Sequence, residues 1–556
     1  MDTAIRATIR RETIYHALKN KGAVREGTVL GIMLKNHPEL KESIPSVKEE
    51  IARVADDLSR KDLAEIESLA KQEDVSYAPP SRERRGLVPI DAPSPFVTRL
   101  PPEPSKHLHV GHAISFLINV LYAERHDGEV LLRFEDTNPS LAREEYVTSI
   151  QEDITDYLGI TVSSVSYSSD MIEQMYELAE RLITQGDAYV CSCAGERMRE
   201  LRRRGEVCEH RQEPVEAHLT AWKEMIAHSR TQGSCVLRLA ADMQSTNMVM
   251  RDPVLFRISY EPHYRHHTRF CVWPLYDFEN AVMDGLEGVT VVLRSNEFGT
   301  MRGELQRHIR RSLDLPEPRV YEYGRFEIVG ADTRGRVIRE RIASGEYLGW
   351  DDPRLATLKA MRRRGFAAET FREIAREVGL SPTPTRIDEK MLAKYNRRIV
   401  DPHARRFSFV YDPREIVIEN YPLREAKLRV HPDREERERV FRLDGRFLIR
   451  AEDADLAYFR LMDAGNIRRE NGYHFDSQSL EECKAQGGVI INWLPADESE
   501  HLPAQVRMPD ARCIEGRIER GILSCQPGEI VQLERFGFCR VDSVENGQMS
   551  LWFAHK

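Results

Sequence analysis

The stretch Arg99-Leu100-Pro101-Pro102-Glu103-Pro104-Ser105-Lys106-His107-Leu108-His109-Val110-Gly111-His112-Ala113 decides how this chain is read. It is completed by Leu131-Leu132-Arg133-Phe134-Glu135-Asp136-Thr137-Asn138-Pro139. A proline-rich extended segment follows an apolar strand and leads into His109-Val110-Gly111-His112, where a helix begins. Ile114, Leu117, Ile118 and Leu121 give that helix an apolar face at i, i+3, i+4, i+7 spacing. The apolar run at 131–134 is then a strand. The two strands and the helix make a β-α-β unit that delivers Glu135 and Asp136 at its carboxyl end. Imidazoles and backbone N–H groups at a helix N-terminus suit phosphate, and the two carboxylates beside them suit an ammonium. The stretch reads as a nucleotide site that also grips an amino acid.

Outward from it, residues 96–190 alternate strand-like and helix-like patterns, which predicts a parallel, doubly wound sheet with substrate at its carboxyl edge. Residues 191–269 break that rhythm, and Cys271-Val272-Trp273-Pro274 resumes it as far as about 330. A helical segment is predicted over 335–392. From 396 the texture becomes short β-type runs, at 407–411, 415–418, 441–443, 489–493 and 530–533, which predict antiparallel barrels. Residues 1 to about 78 read as helical, through the apolar periods at 13–18, 29–34 and 47–69. A linker rich in proline and charge runs from Ala78-Pro79-Pro80-Ser81 to Pro93-Ser94-Pro95.

Composition bounds the class. With 556 residues, 41% hydrophobic and 31% charged, the chain has material for several soluble domains. No apolar run approaches the roughly 18–20 residues of a membrane helix, and Arg6, Arg10 and Arg11 interrupt any secretory leader. A cytoplasmic protein without membrane contact is expected. A net charge of −9 leaves nucleic-acid contact to local strips such as Arg202-Arg203-Arg204, Arg310-Arg311, Arg362-Arg363-Arg364 and Arg405-Arg406, each equally readable as a solvated helix face. Nine cysteines in so long a chain argue against a disulfide framework. Three of them stand with a histidine, as Cys191-x-Cys193 and Cys208-x-His210. That set offers sulfur and nitrogen to tetrahedral zinc, or is a group of buried thiols.

The H-x-G-H tetrapeptide within R-x-P-P-x-P-S and before L-R-F-E-D-T-N-P resembles the class I aminoacyl-tRNA synthetases, specifically the archaeal-type glutamyl enzymes. Further strings recur in the family's order: Trp273-Pro274-Leu275-Tyr276-Asp277-Phe278, Val292-Leu293-Arg294, Tyr323-Gly324-Arg325-Phe326 and Gly349-Trp350-Asp351-Asp352-Pro353-Arg354-Leu355. The resemblance covers nearly the whole chain. It implies an α/β fold with an N-terminal helical extension (1–80) and a Rossmann-like catalytic domain in two halves (96–190 and 270–332). An acceptor-binding domain (191–269) is inserted between the halves. A helical connector (333–395) and a β-barrel anticodon-binding region (396–556) follow.

The resemblance also implies a reaction. Glutamate and ATP give glutamyl-adenylate, and a ribose hydroxyl of tRNA(Glu) then takes the acyl group, with tRNA(Gln) a possible second acceptor, Mg2+ accompanying ATP and the chain a monomer. His109 and His112 would serve the phosphates and Gly111 would let backbone approach the nucleotide. Arg99 and Arg294 would meet the substrate carboxylates as planar forks. Glu135 would hold the ammonium, and Tyr276 and Asn280 would hydrogen-bond substrate. Glutaminyl relatives lack an arginine at the position of Arg294, which separates glutamate from glutamine. Related enzymes carry a comparable zinc knuckle where the tRNA acceptor end is handled, which is what the resemblance implies for Cys191, Cys193, Cys208 and His210.

Departures from the family pattern occur as well. The loop that usually reads K-M-S-K-S is Ala331-Asp332-Thr333-Arg334-Gly335-Arg336-Val337-Ile338-Arg339, with no lysine, so Arg334 and Arg336 become the expected cations there. Lys106 replaces a common glycine, and Ile114, Gly285 and Val291 also depart. Two alternatives remain open on the sequence: a glutaminyl ligase, and a tRNA-binding synthetase paralogue that no longer activates amino acid.

Overall fold

A computed structural model describes residues 3–20, 22–37, 40, 43–73, 75 and 86–556. The first part of the predicted linker, through 85, lies largely outside those residues. The chain divides into two compact units, Met1–Arg84 and Arg85–Lys556.

The first unit contains helices Thr3–Lys19, Glu26–Asn36, Ile44–Ser59 and Leu63–Gln72. Val47, Ile51, Val54 and Leu58 recur along one face of the third and are buried. The apolar period at 47–69, read as one run, is two helices. Asp62 breaks it, because its carboxylate accepts the Glu65 N–H at 2.9 Å while the Glu65 carboxylate accepts the Asp62 N–H at 2.9 Å. This reciprocal cap is the D-x-x-E signature of a new helix start.

In the second unit, Val97–Leu100, Glu129–Phe134 and Ser164–Tyr167 pair in parallel in that order. The helix Val110–Arg125 crosses between the first two and buries nearly every apolar residue it carries. A second parallel pair, Val291–Ser295 with Arg319–Tyr323, adjoins the first strand, where Thr290 N–H donates to Val97 O at 3.0 Å. The carboxyl ends of these strands carry the candidate site, as a parallel sheet requires.

Between the halves lies a four-stranded antiparallel sheet, Ala188–Cys191, Val236–Leu239, Val254–Ile258 and Val272–Pro274. The segment expected to resume the parallel sheet, 271–274, is instead the last strand of this one. Its short apolar run is compatible with either sheet, and pairing with Val254–Ile258 decides.

Helices Gly335–Ala343, Leu358–Arg364, Ala368–Val378 and Glu389–Val400 follow, interrupted by Thr385–Ile387 paired with Phe326–Ile328.

Beyond 404 stand two seven-stranded sheets. In one, the edge strands Arg405–Phe407 and Phe409–Tyr411 are separated in sequence by Ser408 alone, so its two ends meet and the sheet closes on itself. Most pairings in these sheets are antiparallel, as expected, and four are parallel, among them Arg405–Phe407 with Ile530–Leu533 and His501–Arg507 with Gln548–His555. Strand periodicity shows which face is buried and is silent on direction. Among the described residues no helix is long and apolar enough to cross a membrane.

Candidate active site

The prolines at 101, 102 and 104 carry the chain from the first parallel strand to His109, which caps the helix Val110–Arg125. The Gly111 N–H donates to Nδ1 of His109 at 3.1 Å, and the His109 N–H donates to Nδ1 of His112 at 3.1 Å. An Nδ1 that accepts holds no proton, so this network assigns the proton of each ring to Nε2. Burial, with the nearby Lys106 charge second, lowers the His109 pKa to about 3, and burial with the His109 and Lys106 charges drives His112 well below its ordinary value. Both imidazoles are neutral Nε2–H donors lining a cavity of about 740 Å3.

Gly111 has a local reason that sequence reading did not supply. A Cβ there would sit 2.9 Å from Cε1 of His109, so a side chain at this position displaces the imidazole itself.

Arg99, Glu135, Tyr276 and Arg294 line the same cavity. Arg99 lies in the first strand, one residue before its end, buried, and commits its Nε–H to Asp284 at 2.9 Å, which leaves the terminal nitrogens of its fork. Arg294 sits in strand Val291–Ser295 with 6% exposure. It donates through NH1 to Gln306 at 2.8 Å and through Nε and NH2 to Glu322 at 3.3 and 3.2 Å. A guanidinium has five N–H bonds, so one on each terminal nitrogen remains for a ligand. Glu135 accepts from Arg133 NH2 and from Asn280 Nδ2, each at 3.0 Å, on Oε1. Tyr276 and Asn280 share a face of helix Tyr276–Leu286, but Asn280, expected to hydrogen-bond substrate, is buried outside the cavity lining and spends its Nδ2 on Glu135. Burial pushes the Tyr276 phenol far above its ordinary range.

Two further expectations are revised, and one carboxylate is added. Asp136, read as a second ammonium partner, is fully buried away from the cavity. It accepts the Ser169 N–H and Oγ–H at 2.8 Å each and the Tyr264 hydroxyl at 3.0 Å, and so ties neighbouring loops together. A buried carboxylate that does line the cavity beside Glu135 is Glu279, which sequence reading missed. Its Oε2 accepts from Thr137 Oγ at 2.5 Å, and burial beside Glu135 pushes its pKa up to about 8.

Arg334 and Arg336 do not reach the cavity lining. Their side chains are 74% and 87% exposed and are engaged with Asp332 at 2.9 Å and Glu340 at 2.8 Å, carboxylates of their own loop and helix. Thr333 and Lys106 line it instead.

Some 20 residues of the inserted region build a separate cluster. Ligand atoms of Cys191, Cys193, Cys208 and His210 all lie within 4.8 Å of one another. The Cys191 and Cys208 sulfurs are 3.8 Å apart, and Cys193 Sγ is 3.5 Å from His210 Nδ1. A tetrahedron with zinc–sulfur bonds of about 2.3 Å has an edge of about 3.8 Å, so this donor set fits the ion. Arg238 NH1 lies 3.7 and 3.9 Å from the two buried sulfurs and offsets thiolate charge.

Family models describe the same architecture. Residues 95–402 match the class I tRNA synthetase (E and Q) catalytic domain, and 404–486 and 490–542 match two anti-codon binding domains of that family. The chain belongs to this family. Among curated relatives, the glutamate–tRNA ligase of Methanothermobacter thermautotrophicus is 36% identical over 99% of both chains. That of Pyrococcus furiosus is 35% identical over 98% of both. A crystal structure of a glutamate tRNA ligase from Elizabethkingia meningosepticum in complex with its amino acid aligns over 56% of this chain and 70% of its own, at 15% identity and a TM-score of 0.39.

The neutral imidazoles have a measurable consequence. A pKa near 3 keeps His109 in its donor form throughout the physiological range, and protonation at Nδ1 would break its bond from the Gly111 N–H. The rate of the phosphate chemistry, measured by single turnover from pH 5.5 to 8, is expected to show no acid limb near 6.5. His109→Asn is expected to lower that rate by about 10²-fold, the usual loss for one donor to developing charge. A limb near 6.5 that vanishes in this variant contradicts the assignment.

Proposed function

We propose that this protein ligates L-glutamate to tRNA(Glu) through a glutamyl-adenylate, with ATP and Mg2+ as the nucleotide substrate. The observation that carries the reading is one cavity lined by two buried guanidiniums, Arg99 and Arg294, and by two neutral imidazole donors at a helix N-terminus. The names of the full-length relatives support it.

In the first step an α-carboxylate oxygen of glutamate attacks the α-phosphorus, and the bond to the β-phosphate bridging oxygen breaks. The electron pair leaves with pyrophosphate, and no protein group needs to take a proton. Catalysis is then orientation plus stabilisation of charge. His109 and His112 donate Nε2–H to the phosphoryl oxygens. The Arg99 and Arg294 forks take the two carboxylates in bidentate geometry. Glu135, held by Arg133 and Asn280, receives the ammonium, and Tyr276 orients the substrate. In the second step a terminal ribose hydroxyl attacks the acyl carbonyl, the bond to the adenylate phosphate oxygen breaks, and AMP leaves with its phosphate taking up the hydroxyl proton.

ATP–pyrophosphate exchange with tRNA present, glutamate against glutamine, tests this. Exchange with glutamate alone is expected, whereas exchange with glutamine alone indicates a glutaminyl ligase. Exchange with neither indicates a paralogue that only binds tRNA, a reading favoured by the distance of Arg334 and Arg336 from the cavity lining. Charging of tRNA(Gln) as well, a monomeric state and a cytoplasmic location complete the proposal.

We further propose that Cys191, Cys193, Cys208 and His210 hold a structural zinc ion, which would fasten the ends of the 191–210 segment. One equivalent of zinc is expected by elemental analysis of purified protein, and its loss in Cys208→Ser with a lowered thermal midpoint. Full-length protein without zinc and with an unchanged midpoint after chelation contradicts the site.

A further inference from the structure

We propose that Lys106 supplies the positive charge at the pyrophosphate end of the nucleotide, in place of the arginines of the 331–339 loop. The inference rests on the reading that this cavity binds ATP.

A triphosphate brings several negative charges into a cavity already lined by Glu103, Glu135, Glu279 and Glu297, so cations must meet it. The lining holds four. Arg99 and Arg294 are tied to Asp284 and Glu322. Arg257, in strand Val254–Ile258, has no carboxylate within ion-pair distance among the described residues and donates to Asn138 Oδ1 at 3.2 Å. The fourth is Lys106, on the segment that leads into His109 and His112. Among the described residues its ammonium has no carboxylate within ion-pair distance, and its one hydrogen bond, at 3.3 Å, goes to the backbone carbonyl of Thr333.

Geometry also fixes where the ammonium goes. A Cβ at Gly335 would sit 3.1 Å from Lys106 Cβ and 3.3 Å from its Cδ, so the lysine stem lies along the start of helix Gly335–Ala343. Arg339 NH1 clamps the same segment by donating to Ser105 O at 3.0 Å. The loop thereby steers a lysine borne by another segment, while its Arg334 and Arg336 point to solvent. When the α-carboxylate attacks and the bridging P–O bond breaks, the pair of electrons goes to pyrophosphate. Burial by itself lowers the Lys106 pKa, and an incoming polyanion beside it favours the ammonium that neutralises the growing charge.

The test uses the full chain. Inorganic pyrophosphate with Mg2+ is titrated calorimetrically onto wild type, Lys106→Met, Lys106→Arg and the double variant Arg334→Ala/Arg336→Ala. Exchange is measured with glutamate and tRNA. Lys106→Met is expected to weaken pyrophosphate at least about tenfold and to slow exchange about 10²-fold, as removal of a charge-stabilising donor does. Its glutamate KM and thermal midpoint should be unchanged. Lys106→Arg should recover most of the loss, which a packing role would not produce, and the double arginine variant should stay within about threefold. Wild-type pyrophosphate affinity in Lys106→Met overturns the proposal, as does loss of affinity in the double arginine variant alone. If wild type binds pyrophosphate but exchanges it with no amino acid, the glutamate reading fails, and the comparison of affinities still decides the role of Lys106.

Discussion

Replacing Arg294 with alanine is expected to lower kcat/KM for glutamate activation by about 10³- to 10⁴-fold, or about 4–5.5 kcal/mol of transition-state stabilisation. The size follows from three facts about the site. Arg294 is nearly enclosed, so its charge is not diluted by water, and its two unspent N–H bonds lie on different terminal nitrogens, as a carboxylate requires. Its removal also leaves Glu322 without the guanidinium it now faces, which adds repulsion toward an acidic ligand. Lysine at 294 should restore only part of the loss, because a point charge cannot keep Gln306 and Glu322 while also gripping two oxygens. Glutamine, which carries no side-chain charge, should lose far less, so the ratio of glutamate to glutamine activation shifts toward glutamine by at least about 10²-fold. A glutamate-to-glutamine ratio unchanged in Arg294→Ala assigns the side-chain carboxylate to another residue.

How much of this was legible beforehand differs by feature. The helix Val110–Arg125 and the cavity residues His109, His112, Arg99, Glu135, Tyr276 and Arg294 lie in motifs whose local spacing nearly dictates where they go. Strand ends and helix starts aim side chains by covalent geometry alone. The cysteine cluster was readable as a set of donors, but only folding shows the 3.5–3.8 Å spacings that suit an ion. Arg334 and Arg336 were misread because loop cations follow the nearest carboxylate, and Asp332 and Glu340 are two and four residues away. Asp136 was misread because adjacent residues leaving a strand face opposite ways, so Glu135 takes the cavity and Asp136 turns toward Ser169. Glu279 carried no signal of its own, since an acid beside a substrate motif is ordinarily solvated. The sequence does mark the helix that carries it. Tyr276, Asn280 and Asp284 repeat every four residues along one helix, a polar stripe on an element whose other positions are mostly buried.

That stripe leads to the residue whose loss should most destabilise the fold. Arg133 is fully enclosed and stands two residues before Glu135, on the same face of its strand extension. Its NH2 donates to Glu135 at 3.0 Å and to Asp284 at 2.9 Å, and its NH1 donates to Glu287 at 2.9 Å. Asp284 in turn takes Arg99 Nε at 2.9 Å. One guanidinium therefore joins the second strand to the helix Tyr276–Leu286, orients the carboxylate proposed for the ammonium, and shares an anchor with the arginine proposed for a substrate carboxylate. Burial alone would discharge such a group, but three carboxylates reverse the balance and raise its pKa well above the ordinary value. Methionine fits the volume and removes the charge, leaving Glu135 and Glu287 without their cation and Asp284 with Arg99 alone. Breaking a buried network from one side costs about 3–5 kcal/mol, a large share of the 5–15 kcal/mol typical of a domain. Arg133→Met is expected to lower the denaturation midpoint accordingly and to raise the glutamate KM in the fraction that folds. Arg133→Lys should recover little, since an ammonium cannot span three carboxylates from one buried position. Adding Asp284→Asn to Arg133→Met should cost less than the two single losses summed, because the second change removes a charge the first had stranded. Strict additivity in that cycle would mean that the two side chains stabilise the fold separately.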